Sequence, residues 1–183
     1  MRRTWKLLVV SGVVTILWPV AAIAQPPTPP KPTEAHQRLG YFVGKWNNEG
    51  EMKPSPMGPG GKVKSVDTCE WFDGRFTIVC RYDGTGPMGA MKGMGIIGYS
   101  PDIKAYTYYA FDNSGMAMTT VPRGTVKGDT WTYTDESQMG GVNFKSRVTL
   151  KEVSPTSYTF LMEVQAPDGK WLPMMESKLT KEK

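Results

Sequence analysis

Five groups of residues in this 183-residue chain are of types that could carry chemistry: a glycine pattern, a single histidine, two cysteines, scattered carboxylates, and a surplus of methionine and aromatic rings. Gly93-Met94-Gly95-Ile96-Ile97-Gly98 spells G-x-G-x-x-G. A dinucleotide site needs that pattern between a strand and a helix, so that the helix N-terminus meets pyrophosphate. Here Tyr99-Ser100-Pro101-Asp102 follows, a turn that leads into another strand. The match is accidental, and the glycines are expected to mark a bulge or bend. His36 is the one histidine, and no G-x-S-x-G elbow accompanies it. It is read as a surface or capping residue, and no catalytic residue is assigned.

Asp67, Glu70, Glu163 and Glu176 occupy candidate strand positions. Glycoside hydrolysis would need two carboxyls roughly 5 or 9 Å apart, and spacing along the chain does not fix that. Solvent-facing or partnered carboxylates are the default. One His and two Cys cannot build a four-ligand zinc cluster. Met88, Met91 and Met94 bear thioethers, which are soft ligands for Cu(I). Strand alternation turns Met91 away from the other two, and methionine equally fills irregular cores. Neither a metal nor a cofactor is assigned. The aromatic set is richer. Trp71, Tyr82, Tyr106, Tyr108, Trp131, Tyr133 and Phe160, with Tyr158 and Trp171, are spread over many segments. Facing inward, they line either a pocket for an apolar or ring-bearing molecule or a filled core.

The elements that must position these residues alternate with a period of two. Phe144, Ser146, Val148 and Leu150 share one face, as do Tyr158, Phe160, Met162 and Val164, and Trp131 and Tyr133 alternate with threonines. Turn signals separate the runs: Asp73-Gly74, Asp83-Gly84, Ser114-Gly115, Gly128-Asp129, Gly140-Gly141, Ser154-Pro155 and Asp168-Gly169. These boundaries give about ten strands, with only Thr33 to Phe42 helical. An all-β, antiparallel up-and-down meander closed into a barrel is expected, because closure removes exposed edges; a sandwich is the alternative. A hairpin around Phe72-Asp73-Gly74-Arg75 aligns Cys69 with Cys80. A two-residue loop leaves them diagonal and a four-residue loop sets them directly opposite. A structural disulfide is expected, worth roughly 2–3 kcal/mol by loop closure.

The first residues read as an address. Arg2, Arg3 and Lys6 precede an apolar stretch from Leu7 to Val20, and Ala22-Ile23-Ala24 is a small-x-small cleavage pattern. The stretch is shorter than the roughly 20 residues that span a bilayer. A signal peptide over 1–24, cleaved after Ala24, is therefore expected, with a periplasmic or secreted product and no transmembrane anchor. Five prolines between Gln25 and Thr33 make a stiff tether over 25–33, and a single domain follows over 34–183. The formal net charge of +5 falls to +2 once Arg2, Arg3 and Lys6 are removed. The remaining Lys and Arg form no stripe, so nucleic acid is not an expected partner.

His36-Gln37-Arg38-Leu39, Val43-Gly44-Lys45-Trp46, Trp71-Phe72-Asp73-Gly74-Arg75-Phe76, Gly93 through Pro101, Lys104-Ala105-Tyr106, Phe111-Asp112, Pro167-Asp168-Gly169-Lys170 and Met175-Glu176 follow one another in order. Together they resemble the bacterial domain-of-unknown-function family 1579 (DUF1579) over essentially all of residues 34 to 181. The resemblance implies a calycin-like, lipocalin-related barrel. Gly44-Lys45-Trp46 is similar to the lipocalin G-x-W, whose Trp closes one end beneath a basic residue of the last strand, here Lys178 or Lys181. Haem-binding relatives use a His near the chain end, and this chain has none there. The family brings no catalytic residues. The expected function is a monomeric exported barrel that binds a small apolar or amphipathic molecule. A filled-core envelope or interaction protein is the alternative, and an enzyme working in the barrel mouth is the second.

Overall fold

Successive alternating segments joined by short turns bury their apolar faces by curling the sheet onto itself. The computed structural model of the protein describes residues 30–55, 58–115, 118–139 and 142–183. Its strands are β1 (Gly44–Met52), β2 (Gly61–Trp71), β3 (Thr77–Gly86), β4 (Gly89–Ser100), β5 (Ala105–Asp112), β6 (Arg123–Lys127), β7 (Thr130–Met139), β8 (Val142–Ser154), β9 (Ser157–Gln165) and β10 (Trp171–Lys181). Each pairs antiparallel with the next, and β1 pairs with β10 to close the barrel. The up-and-down topology is the expected one. Residues 1–24, where a signal peptide is expected, positions 25–29 of the expected tether and the expected Gly140-Gly141 turn lie outside the described residues. Among the described residues no helix is long and apolar enough to cross a membrane.

One end of the barrel is plugged. Helix α1 (Glu34–Arg38) continues into a 3₁₀ turn, Leu39–Phe42. Leu39 and Phe42 insert into a cluster with Trp46, Ile78, Ile97, Tyr106, Trp131, Tyr133, Tyr158 and Leu179. Polar contacts fix the plug at its rim. Tyr41 donates to the carbonyls of Ser154 and Ser157 (2.8 and 2.9 Å), and Tyr106 donates to that of Ala35 (2.9 Å). His36 does cap α1, accepting the Thr33 amide proton at Nδ1 (3.1 Å). It is not a surface residue, however: it is 4% exposed, with its ring edge-on to Phe76 and Tyr99. The short helix can be held only by burying its inner face, which carries His36 inward.

The hairpin between β2 and β3 takes the four-residue form. Phe72 N–H donates to the Thr77 carbonyl, and Cys69 stands directly opposite Cys80. The two are joined by a disulfide, with 3.9 Å between their Cα atoms. Two expectations about glycine need correction. Asp83-Gly84 is no turn, because β3 runs through it and Gly84 lies opposite Ser65. A Cβ at Gly84 would collide with the Lys64 carbonyl, so the glycine serves close strand approach. The glycines of β4 mark no bulge either, since register runs unbroken from β3 through β4 to β5. They make room for side chains. A Cβ at Gly95 would lie 2.6 Å from the Tyr108 ring, one at Gly98 2.8 Å from Thr77 Cγ2, and one at Gly93 would collide with the Tyr82 hydroxyl.

Candidate functional site

The inner wall divides into two halves. Toward α1 it is aromatic and packed. Trp131 meets Phe42 (ring centroids 4.9 Å) and Tyr106 (4.8 Å), and Trp46 meets Tyr158 (4.9 Å). Trp131 also donates its indole proton to Glu152 (2.7 Å), which is ion-paired with Arg38. Away from α1, where the barrel end is formed by turns, the wall becomes polar. Registers Trp46↔Asp67, Asn48↔Ser65, Gly50↔Val63 and Asp67↔Tyr82 place Asn48, Ser65, Asp67 and Tyr82 on one inner surface.

Three of these residues form a hydrogen-bonded row. Ser65 donates to Asp67 Oδ1 (2.6 Å), and the Asn48 amide donates to Ser65 Oγ (3.2 Å). The order is forced, because an ionised carboxylate only accepts and Ser65 has one proton to give. Asn48 Oδ1 is left without a partner, and so are the hydroxyls of Ser177 and Tyr133. Native interiors rarely leave such groups unmatched. Among the described residues no cation pairs with Asp67.

Burial holds the Asp67 carboxyl above its ordinary range, against the opposing pull of the Ser65 hydroxyl. Burial, followed by the negative charges of Asp67 and Asp112, pushes Tyr108 up to about 12. Tyr82 is raised as well, by burial first and then by Asp112. These tyrosines therefore stay protonated and able to donate at any physiological pH. Such an arrangement offers carboxylate, amide and hydroxyl groups beside ring faces, in a partly desolvated wall.

Six of the seven predicted binding residues lie in or against one aromatic cluster, and Tyr82 stands apart from it. Tyr106, Trp131 and Tyr133 belong to the packed half, and Trp71, Tyr108 and Phe160 lie against it. Trp71 sits at the plugged rim beneath Arg75, whose guanidinium is 5.0 Å from the ring centroid. Tyr82 and Tyr108 alone flank the polar row, with Tyr82 near Asp112 (3.5 Å). Trp46 is fully buried in the core cluster. Lys181 stands over it at 5.1 Å, whereas Lys178 pairs in register with Glu49 on the outer face, since alternation puts Lys178 and Lys181 on opposite sides. Asp67 was visible in the sequence as a strand carboxylate. Asn48 and Ser177 were not singled out; sharing inward parity with Trp46 and Leu179 is the signal that could have found them. A groove of about 680 Å³ lies on the barrel flank beside Thr107, Val121, Arg123, Lys145 and Trp171. None of the seven lines it.

A family model described as a protein of unknown function (DUF1579) matches residues 31–181. The chain belongs to this family. No curated protein matches the sequence. In fold, the DUF1579 barrel is similar to Rv2717c from M. tuberculosis (TM-score 0.59, 11% identity, 84% of this chain and 100% of that one). It is also similar to the S-type phycobiliprotein lyase CPES from Guillardia theta (TM-score 0.56, 12% identity, 81% and 93%). At such identities the likeness is one of architecture, which agrees with the calycin-like expectation.

Proposed function

We propose that this DUF1579 protein is an exported barrel that binds a small amphipathic molecule in the half of its interior away from α1. The observation that carries the reading is the polar row Asn48–Ser65–Asp67, in which Asn48 Oδ1 has no partner, set beside Tyr82 and Tyr108. A barrel whose interior served only as filling would not need a desolvated carboxylate there; an apolar side chain would be cheaper. The packed aromatic half then acts as a floor. The apolar body of a ligand rests on it, and polar groups of the wall fix the orientation of the rest.

Export is part of the proposal. The basic and apolar N-terminus with Ala22-Ile23-Ala24 supports a cleaved signal over 1–24, the prolines support a spacer over 25–33, and a cross-strand disulfide suits an oxidising compartment. The protein is taken to work as a monomer. Native mass spectrometry of protein purified from the periplasm tests the binding reading. A non-covalent adduct of small-molecule mass is expected, and it should be released by solvent. A bare protein that also fails to take up apolar fluorescent probes overturns the proposal. The raised carboxyl of Asp67 also suits proton transfer. A bound molecule that wild-type protein alters chemically, and that the Asp67→Asn variant leaves intact, would move the reading to catalysis.

A further inference from the structure

The interior carries a charge bias that the composition hides. The chain as a whole is basic, with 22 Lys and Arg against 17 Asp and Glu. Alternation nevertheless turns Lys62, Lys64, Arg81, Lys92, Lys145 and Arg147 to the outside. Four of these cations are held there in ion pairs: Lys64 with Glu49, Lys92 with Asp83, Lys145 with Glu136 and Arg147 with Glu163. The inward positions beyond the aromatic floor carry Asp67, Asp112 and Asp135, and among the described residues no inward Lys or Arg stands with them. Among the described strand residues the one inward cation, Lys181, belongs to the plugged rim over Trp46.

Acidic residues alone would not define a site. The second observation concerns hydrogen bonding. Asn48 is 8% exposed and its Oδ1 is a pure acceptor without a partner, on the same row as Asp67. Ser177, 9% exposed and next to Gly50 in register with β1, has an unmatched hydroxyl. The row therefore presents a carboxylate and an amide oxygen that both need N–H or O–H donors, in a wall with no positive charge of its own.

We propose that the barrel interior selects a molecule with a cationic, N–H-donating head, such as a protonated amine or amidine, on an apolar or aromatic body. The head sits against Asp67 and Asn48 and the body lies toward the aromatic floor. This rests on the binding function proposed above and narrows it. An ammonium group supplies several donors and one compensating charge, which is the combination the row lacks. Carboxylate-bearing ligands, including fatty acids, are rejected, because a second anion would be desolvated beside Asp67.

Three matched probes test the selection: naphthylmethylamine, its uncharged counterpart naphthalenemethanol, and the anion naphthoate. Each is titrated into purified protein by calorimetry at neutral pH, in moderate salt. The amine is expected to bind at least about tenfold more tightly than the alcohol, the range typical of a hydrogen bond to a charged group, and the anion most weakly. Asp67→Asn should abolish the preference, the affinity for the amine falling to that of the alcohol. Asn48→Ala should weaken the amine selectively and severalfold. Equal binding of amine and alcohol by the wild type, or a preference that survives Asp67→Asn in folded protein, overturns the charge selection and leaves the binding reading standing. Failure of all three probes overturns both.

Discussion

Asp67 feels two opposed influences: desolvation raises its carboxyl and the Ser65 hydroxyl lowers it, with the first larger. A carboxyl raised above its ordinary 3.8 in the folded state contributes no destabilisation below that value. The destabilisation grows as pH rises through the folded value and is complete above it. Asp67→Asn keeps an acceptor for Ser65 and removes the charge. The variant should therefore melt above wild type at pH 7, with the difference closing as pH falls toward 4; calorimetric scans across that range would show it. A wild type that melts higher at pH 7 would mean that Asp67 has a cationic partner. Glycine makes a second test at this scale. A Cβ at Gly124 would come 2.5 Å from the Tyr133 ring, which is locked in the core, and one at Gly93 would meet both the Tyr82 hydroxyl and the Phe111 backbone carbonyl. Gly124→Ala and Gly93→Ala should each cost about 1–3 kcal/mol in denaturant titration.

Among the elements, α1 and its 3₁₀ extension hold together by tertiary burial, since five helical residues are too few to persist alone. Leu39 is fully buried, and Leu39→Ala should lose about 2–5 kcal/mol while the strand signature in circular dichroism remains. The β2–β3 hairpin carries the only covalent staple. With a sequence separation of 11 between Cys69 and Cys80, replacing both by Ser should lower stability by about 2–3 kcal/mol, seen as an earlier unfolding midpoint. The strands were legible in the sequence because a half-buried strand writes its burial as a period of two, which is clear in Phe144 to Leu150. Asp83-Gly84 was misread because the reason for that glycine lies across the sheet, in the Lys64 carbonyl. Chain spacing carries no trace of such a contact. The same limit hid most of the candidate site. Each member of the Asn48–Ser65–Asp67 row looks like an ordinary polar residue until the β1–β2 register puts the three side by side.

At the scale of the molecule, the wall is not uniform. Between β5 and β6 only Tyr106↔Gly124 and Thr107↔Arg123 pair. Beyond them the Tyr108 amide reaches the Pro122 carbonyl at 3.4 Å, and that of Ala110 meets the thioether of Met118 at 3.2 Å. Thioethers are weak acceptors, so in native-state hydrogen exchange the Ala110 amide should exchange markedly faster than that of Tyr106. Uniform protection along β5 would contradict this. Aromatic floor, polar wall and weak seam thus stack along one axis, from rigid to yielding. The pairing of β1 with β10 has a bearing on how the protein is made. Trp46 waits for Lys181 as its neighbour, so a ribosome must have passed the last strand before the ring can shut. Until then two sheet edges stay bare, and a growing chain remains threadable through a narrow passage. A stop codon anywhere in the final strand would leave it so.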